Sequence, residues 1–259
     1  MSNSILTKRI NAARAKGRLA LIPFLPAGYP DKARFWDEID QLDEAGADVI
    51  EIGMPFSDPV ADGPVVEHAS LQCLDAGVNL KWILKELAAR KGRYKAGLVL
   101  MGYLNPVLQY GLANFGRDAS SAGVHGVILA DVPFEESGPV RAAFDPFGLA
   151  LIPLVGLNTV PERMALYARE GQGFAYFVSV LGTTGVQSSF DTGLPEAIRA
   201  GLTKAKAAFS IPVALGFGLK HPDQLKALDG LVDAAVFGSA LIRHIDAGGD
   251  SKGFMQVWK

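Results

Sequence analysis

The chain has 259 residues, 49% of them hydrophobic, and a formal net charge of −2. That length suits one large core, because α/β barrels of about 250 residues fold as one unit. The near-neutral balance and the lack of any Lys/Arg cluster exclude a nucleic-acid footprint, and a single cysteine, Cys73, excludes an intrachain disulfide and points to a reducing cytoplasm.

In chain order, the start "MSNSILTKRI" is polar and lacks the apolar centre of a signal peptide. The next run, "LALIPFLPAGY", falls well short of the roughly 20 residues that span a bilayer. No membrane association is expected. Short apolar runs then recur: "LALIPFL" (19–25), "DVIEIG" (48–53), "AGLVLM" (96–101), "GVILAD" (126–131), "ALIPLV" (150–155), "FAYFVSV" (174–180), "PVALGFG" (212–218) and "AAVFG" (234–238). Most are apolar throughout rather than alternating, as in parallel strands covered on both faces. Between them lie helical patterns. "DKARFWDEIDQLDEAG" (31–46) spaces Phe35, Ile39 and Leu42 at helical intervals and ends on Gly46. "VPERMALYAREG" (160–171) has Pro161 at its start and Gly171 at its stop. Near "FEESGPVRAAFDPFG" the pattern is interrupted at Gly138-Pro139. The tail "GGDSKGFMQVWK" is short and Gly-rich, so an abbreviated last helix is expected. Eight strand–helix alternations predict a (β/α)8 TIM barrel as a single domain over residues 1–259, with a doubly wound open sheet as the alternative.

Active sites in such barrels form at the C-terminal ends of the strands. None of the eight runs contains Lys, which argues against a Schiff-base aldolase. None contains His. The four histidines (His68, His125, His221, His244) have no ligand spacing, so no metal site is expected. A metal site from Asp58, Asp62 and His68 matches no calcium-loop pattern. No run ends in G-x-S-x-G, and Cys73 is far from any strand end. Carboxylates remain: Glu51, Asp131, and Asp58 and Asp62 in the loop after the second run.

Side chains alternate along a strand. If Ile50 and Ile52 face the helices, Val49, Glu51 and Gly53 face the barrel axis. Burial raises a carboxyl pKa and suits it to proton transfer near neutral pH. The bland reading is a buried Glu paired with a cation, but no run supplies Arg or Lys. Asp58 and Asp62 have turn readings of their own, since Asp-Pro and Asp-Gly-Pro favour turns. Glycines mark the other half of the rim: "GTTG" (182–185), "GFG" (216–218) and "GSA" (238–240). Such loops and a helix N-terminus bind phosphate through backbone N–H groups, and Ser239 adds a hydroxyl. The residues thus indicate acid–base chemistry, without metal or imine, on a substrate with a phosphate end and an apolar end.

The segment "VIEIGMPFSDPVADGP" (49–64) closely resembles the signature of the tryptophan synthase alpha chain family. "IPFLPAGYPD", "LMGYLNPV", "GVILADVPFEES", "YFVSVLGTTG", "GFGLKHPDQ" and "VFGSA" resemble the family in the same order. The resemblance implies retro-aldol cleavage of indole-3-glycerol phosphate to indole and glyceraldehyde 3-phosphate. It implies Glu51 as general acid/base, Asp62 as the partner of the indole N–H, and Tyr176 beside the acid/base. It implies a phosphate site from Gly185, Phe217, Gly218, Gly238 and Ser239, and an indole pocket from Phe24, Leu100 and Ile128. Thr184 matches a lid threonine that positions Asp62. Pro55 and Asp58 match the surface that meets a beta chain in an alpha2–beta2 complex. Pyridoxal phosphate is then the beta chain's cofactor and this chain needs none. Val180 and Leu181 stand where some members carry Arg and a small polar residue, which bears on lid closure and coupling.

Overall fold

The computed structural model describes residues 4–179, 194–216, 219 and 221–258. Nine parallel strands form the sheet: β1 (Ala20–Pro26), β2 (Val49–Gly53), β3 (Gly97–Gly102), β4 (Gly126–Leu129), β5 (Ala150–Leu151), β6 (Leu154–Gly156), β7 (Ala175–Val178), β8 (Val213–Gly216) and β9 (Ala234–Phe237). Every residue of β1, β2, β3, β4, β8 and β9 is buried. These runs are apolar throughout because helices cover one face and the barrel interior the other.

The strand order is β5-β4-β3-β2-β1-β9-β8-β7-β6. Its two ends, β5 and β6, belong to the run expected as one strand and are separated only by Ile152 and Pro153. The Ile152 N–H donates to the Val127 carbonyl at 2.9 Å, and the Pro153 carbonyl accepts from the Tyr176 N–H at 2.9 Å. Bonding to both neighbours therefore continues across the gap and closes the sheet. Proline has no N–H to extend the ladder, so the fifth strand of a (β/α)8 barrel is split in two.

Register fixes which side chains look inward. Phe24, Glu51, Val99 and Gly126 lie at one level, and Gly53, Met101 and Ile128 at another. Leu100 pairs with Ile52 and Val127, on the helix-facing parity.

The helix Ile5–Ala15, capped by Ser4, stoppers the N-terminal end of the barrel. Leu6 is fully buried there. A Cβ at Gly97, Gly126 or Gly173 would come within 2.7, 2.8 or 3.2 Å of Leu6, so glycine at these strand starts makes room for it. The Thr7 hydroxyl donates to the Gly173 carbonyl at 2.6 Å.

The helix expected at 31–46 spans Lys32–Glu44, with the Asp31 side chain accepting the Ala33 and Arg34 N–H groups. The helix expected at 160–171 spans Pro161–Glu170. Gly138-Pro139 does not interrupt a helix. It opens one, Gly138–Phe144, behind a 3-10 turn at Phe134–Glu136, because proline is tolerated in a first turn whose N–H groups lack partners.

The tail forms more helix than expected. After Ser239–Asp246, glycines at 248 and 249 break the chain, and Ser251–Trp258 forms a separate helix. Phe254, Met255 and Trp258 are buried, and Trp258 stacks on Phe237 with ring centroids 4.5 Å apart. The buried Glu38 accepts the Ser251 N–H at 2.7 Å and pairs with Arg34 at 2.9 Å. Among the described residues no helix is long and apolar enough to cross a membrane.

Candidate active site

At the C-terminal mouth of the barrel lies a cavity of about 490 Å³ that includes its open entrance. Glu51 and Asp62 both line it, with Tyr176 beside them. Glu51 is held by the middle of β2, where alternation turns it to the axis, and it is fully buried. Neither of its carboxylate oxygens has a hydrogen-bond partner among the described residues. Burial without compensation disfavours charge. This cause, followed by the negative charge of Asp62, pushes the Glu51 carboxyl up to about 8.

Asp62 comes from the loop between β2 and the helix Pro64–Asp75. Burial chiefly raises it, to about 6. A hydrogen bond from Tyr103 works the other way, and the charge of Glu67 adds to the rise. Near neutral pH the cavity therefore holds one protonated carboxylic acid and one carboxylate. Two acids tuned apart in one site are the arrangement that proton transfer needs.

Tyr176, on β7, is buried, and its hydroxyl is pushed far above the usual range by burial and then by the charges of Glu51 and Asp62. Its ring fits because β8 ends in glycine. A Cβ at Gly216 would lie 2.1 Å from the Tyr176 ring, closer than any packing tolerates. Phe24 is accommodated in the same way, since a Cβ at Gly53 or Gly238 would approach its ring to 2.8 or 2.7 Å.

The apolar wall consists of Phe24, Val66, Met101, Leu219, Val236 and Phe237. The expected pocket residue Leu100 is absent from it. Leu100 has the parity of Ile52, toward the helices, and its neighbour Met101 points into the cavity. Alternation of side chains across a strand corrects the assignment by one position. Ile128 is level with Met101 in the register but is not part of the cavity wall. Two strands along the rim from β2, Gly238 and Ser239 line the cavity where the helix Ser239–Asp246 begins. Its first N–H groups, unpaired within the helix, suit an anion. Gly185, Thr184, Phe217 and Gly218, with Val180 and Leu181, lie outside the described residues.

Asp58 is exposed and does not line the cavity, whereas Pro55 is buried within this chain. The Ser57 hydroxyl donates to Asp58 at 2.5 Å. Asp131 accepts the Leu104 N–H at 2.9 Å and so fastens the chain after β3. Among the described residues no cluster of three or more His, Cys, Asp or Glu is placed to hold a metal ion. Sequence reasoning missed Met101, Val66 and Tyr103. Counting parity from Glu51 across the register finds Met101. For Tyr103 the sequence holds no signal beyond an aromatic residue ahead of Asn-Pro.

The profile described as tryptophan synthase alpha chain matches residues 10–256. The chain belongs to the tryptophan synthase alpha chain family. It is 63% identical to the tryptophan synthase alpha chain of Maridesulfovibrio salexigens and 61% identical to that of Solidesulfovibrio magneticus, each over the whole of both chains. Among solved structures it is similar to tryptophan synthase from Mycobacterium tuberculosis. One structure of it superposes with a TM-score of 0.89 at 33% identity, covering 98% of this chain and 96% of that one. The aminoacrylate-bound form gives a TM-score of 0.87 at 32% identity, covering 98% of each. The split-strand barrel and its mouth are thus the alpha-chain fold.

Proposed function

We propose that this chain is the alpha subunit of a tryptophan synthase and cleaves indole-3-glycerol phosphate to indole and glyceraldehyde 3-phosphate. The observation that carries the reading is the pair Glu51 and Asp62 in one cavity, one carboxyl tuned to about 8 and the other to about 6. Protonated Glu51 delivers its proton to C3 of the indole. The ring nitrogen takes up positive charge, which carboxylate Asp62 stabilises through the N–H. Glu51, now a carboxylate, accepts the proton of the hydroxyl on the carbon attached to C3. That carbon becomes the aldehyde, the bond to C3 breaks, and its electron pair returns to the ring and neutralises the nitrogen. The ring acts as the electron sink, so the scheme calls on no metal, imine or cofactor of this chain.

The aromatic half of the substrate fits the wall of Phe24, Val66 and Met101. The phosphate fits Gly238, Ser239 and the helix start behind them, with Gly185, Phe217 and Gly218 completing that end. Tyr176 packs beside Glu51 and keeps its surroundings dry. Thr184 is the lid residue that steadies Asp62 on closure. A phosphate ester does not cross bilayers unaided, which places the activity in the cytoplasm.

In this reading a beta chain carrying pyridoxal phosphate seats over the mouth in an alpha2–beta2 complex. The exposed Asp58, Val60 and Leu108 around the mouth supply its docking surface, and Pro55 supports them from within. The test is indole release from indole-3-glycerol phosphate by this chain alone and with a beta chain. Slow release alone and strong activation by the beta chain are expected. No release under either condition overturns the reading.

A further inference from the structure

Asp62 depends on a residue distant in sequence. Tyr103, immediately after β3, is 3% exposed. Its hydroxyl accepts the N–H of Ala61, the residue before Asp62, at 3.0 Å. That leaves the single phenolic hydrogen for another acceptor, and hydrogen bonding from Tyr103 favours the charged form of the Asp62 carboxylate. The Tyr103 ring stacks on Phe56 at the start of the same loop, with centroids 5.1 Å apart and planes 28° apart. Behind it the Leu104 N–H is fastened to Asp131. One side chain therefore grips the loop at Phe56, Ala61 and Asp62 while its own backbone is pinned.

We infer that Tyr103 is the positioning residue for Asp62: its hydroxyl, which also accepts the Ala61 N–H, holds the carboxylate aimed into the cavity. The inference rests on the proposed role of Asp62 toward the indole N–H. Tyr103 stands outside the cavity lining and acts through Asp62. The titratable groups bearing on the pair are Glu51, Glu67 and Tyr176 around Asp62, and Asp131 beside Tyr103. All are acids. Burial and negative neighbours both push Asp62 toward its neutral form, and the phenol opposes them. A protonated Asp62 offers no charge to an electron-poor ring.

The experiment is a titration of the full chain with carbon-13 in its aspartate carboxyls, the Asp62 signal being assigned by its loss in Asp62→Asn. Tyr103→Phe keeps the ring and the stack and removes only the hydroxyl. The Asp62 midpoint is expected to rise by about one pH unit, a tenfold change in its proton affinity. In the same variant kcat/KM for indole release falls about tenfold to a hundredfold, and its acid limb moves to higher pH. An unmoved midpoint overturns the inference. Phe56→Leu, which retains the hydroxyl, is expected to keep the wild-type midpoint; a rise equal to that of Tyr103→Phe would trace the effect to a loosened loop and also overturn it. The titration needs no substrate. A wild-type chain that releases no indole would therefore count against the proposed reaction, while the midpoint still decides the role of Tyr103.

Discussion

In the proposed reaction Glu51 is the proton donor, and its burial comes at a cost to the fold. Its carboxyl titrates near 4.5 when solvated and at about 8 in the barrel. The folded chain therefore binds an extra proton between those values. This contribution to stability is intact below pH 4.5 and is lost progressively as pH rises to about 8. Glu51→Gln, which cannot ionise, is expected to abolish indole release yet stabilise the fold near pH 7 by roughly 3 kcal/mol. Denaturant melts of both proteins at pH 5, 7 and 9 check this; a gap that does not widen with pH would refute the burial argument. In the proposed reaction Asp62 works ionised and Glu51 works protonated. A plot of kcat/KM against pH is thus expected to be a bell, rising through about 6 and falling through about 8. The two charges interact, so the limbs belong to the pair. Asp62→Asn is expected to lower kcat/KM by several orders of magnitude; a loss below about tenfold (1.4 kcal/mol) would leave Asp62 a turn residue. Glu51 was legible in the sequence because an acid within an apolar run is costly and alternation fixes its direction. Asp62 was not legible from its own setting, since Asp-Gly-Pro reads equally well as a turn; the family resemblance singled it out, and the folded loop brings it to the cavity.

At the scale of elements, the strands declared themselves through apolar runs, and seven of the eight appear close to their expected bounds. The fifth is split because Pro153 has no N–H for the ladder, although its carbonyl stays bonded to Tyr176. Leu100 was carried over from the family resemblance, and the register shifts the inward position to Met101, because parity relative to Glu51 belongs to pairs of strands. Two elements offer direct tests. Gly216→Ala drives a methyl into the Tyr176 ring, and overpacking of this kind costs about 1–3 kcal/mol. Loss of indole release together with a lowered Tm is expected, and a variant with wild-type melting and rate would show that the ring has room to move. Leu6→Ala empties the space left by three glycines at the closed end, and buried Leu→Ala changes cost about 2–5 kcal/mol. The tail was misread for a plain reason. Its two glycines hide a helix whose buried face, Phe254, Met255 and Trp258, is visible only against Phe237 and the helix that carries Glu38.

At the scale of the molecule, the chain is a cup rather than a pipe. One end is filled by Leu6 and its helix, and the other is the mouth lined by the acids, the apolar wall and the helix start at Ser239. In the proposed reaction, substrate and products therefore use this mouth, since the opposite end is filled among the described residues. Anything seated over the doorway becomes the next compartment for what leaves. A small neutral aromatic released under such a cover meets the covering protein before it meets water. Its route is then shaped by the floor, which Leu6 fills among the described residues.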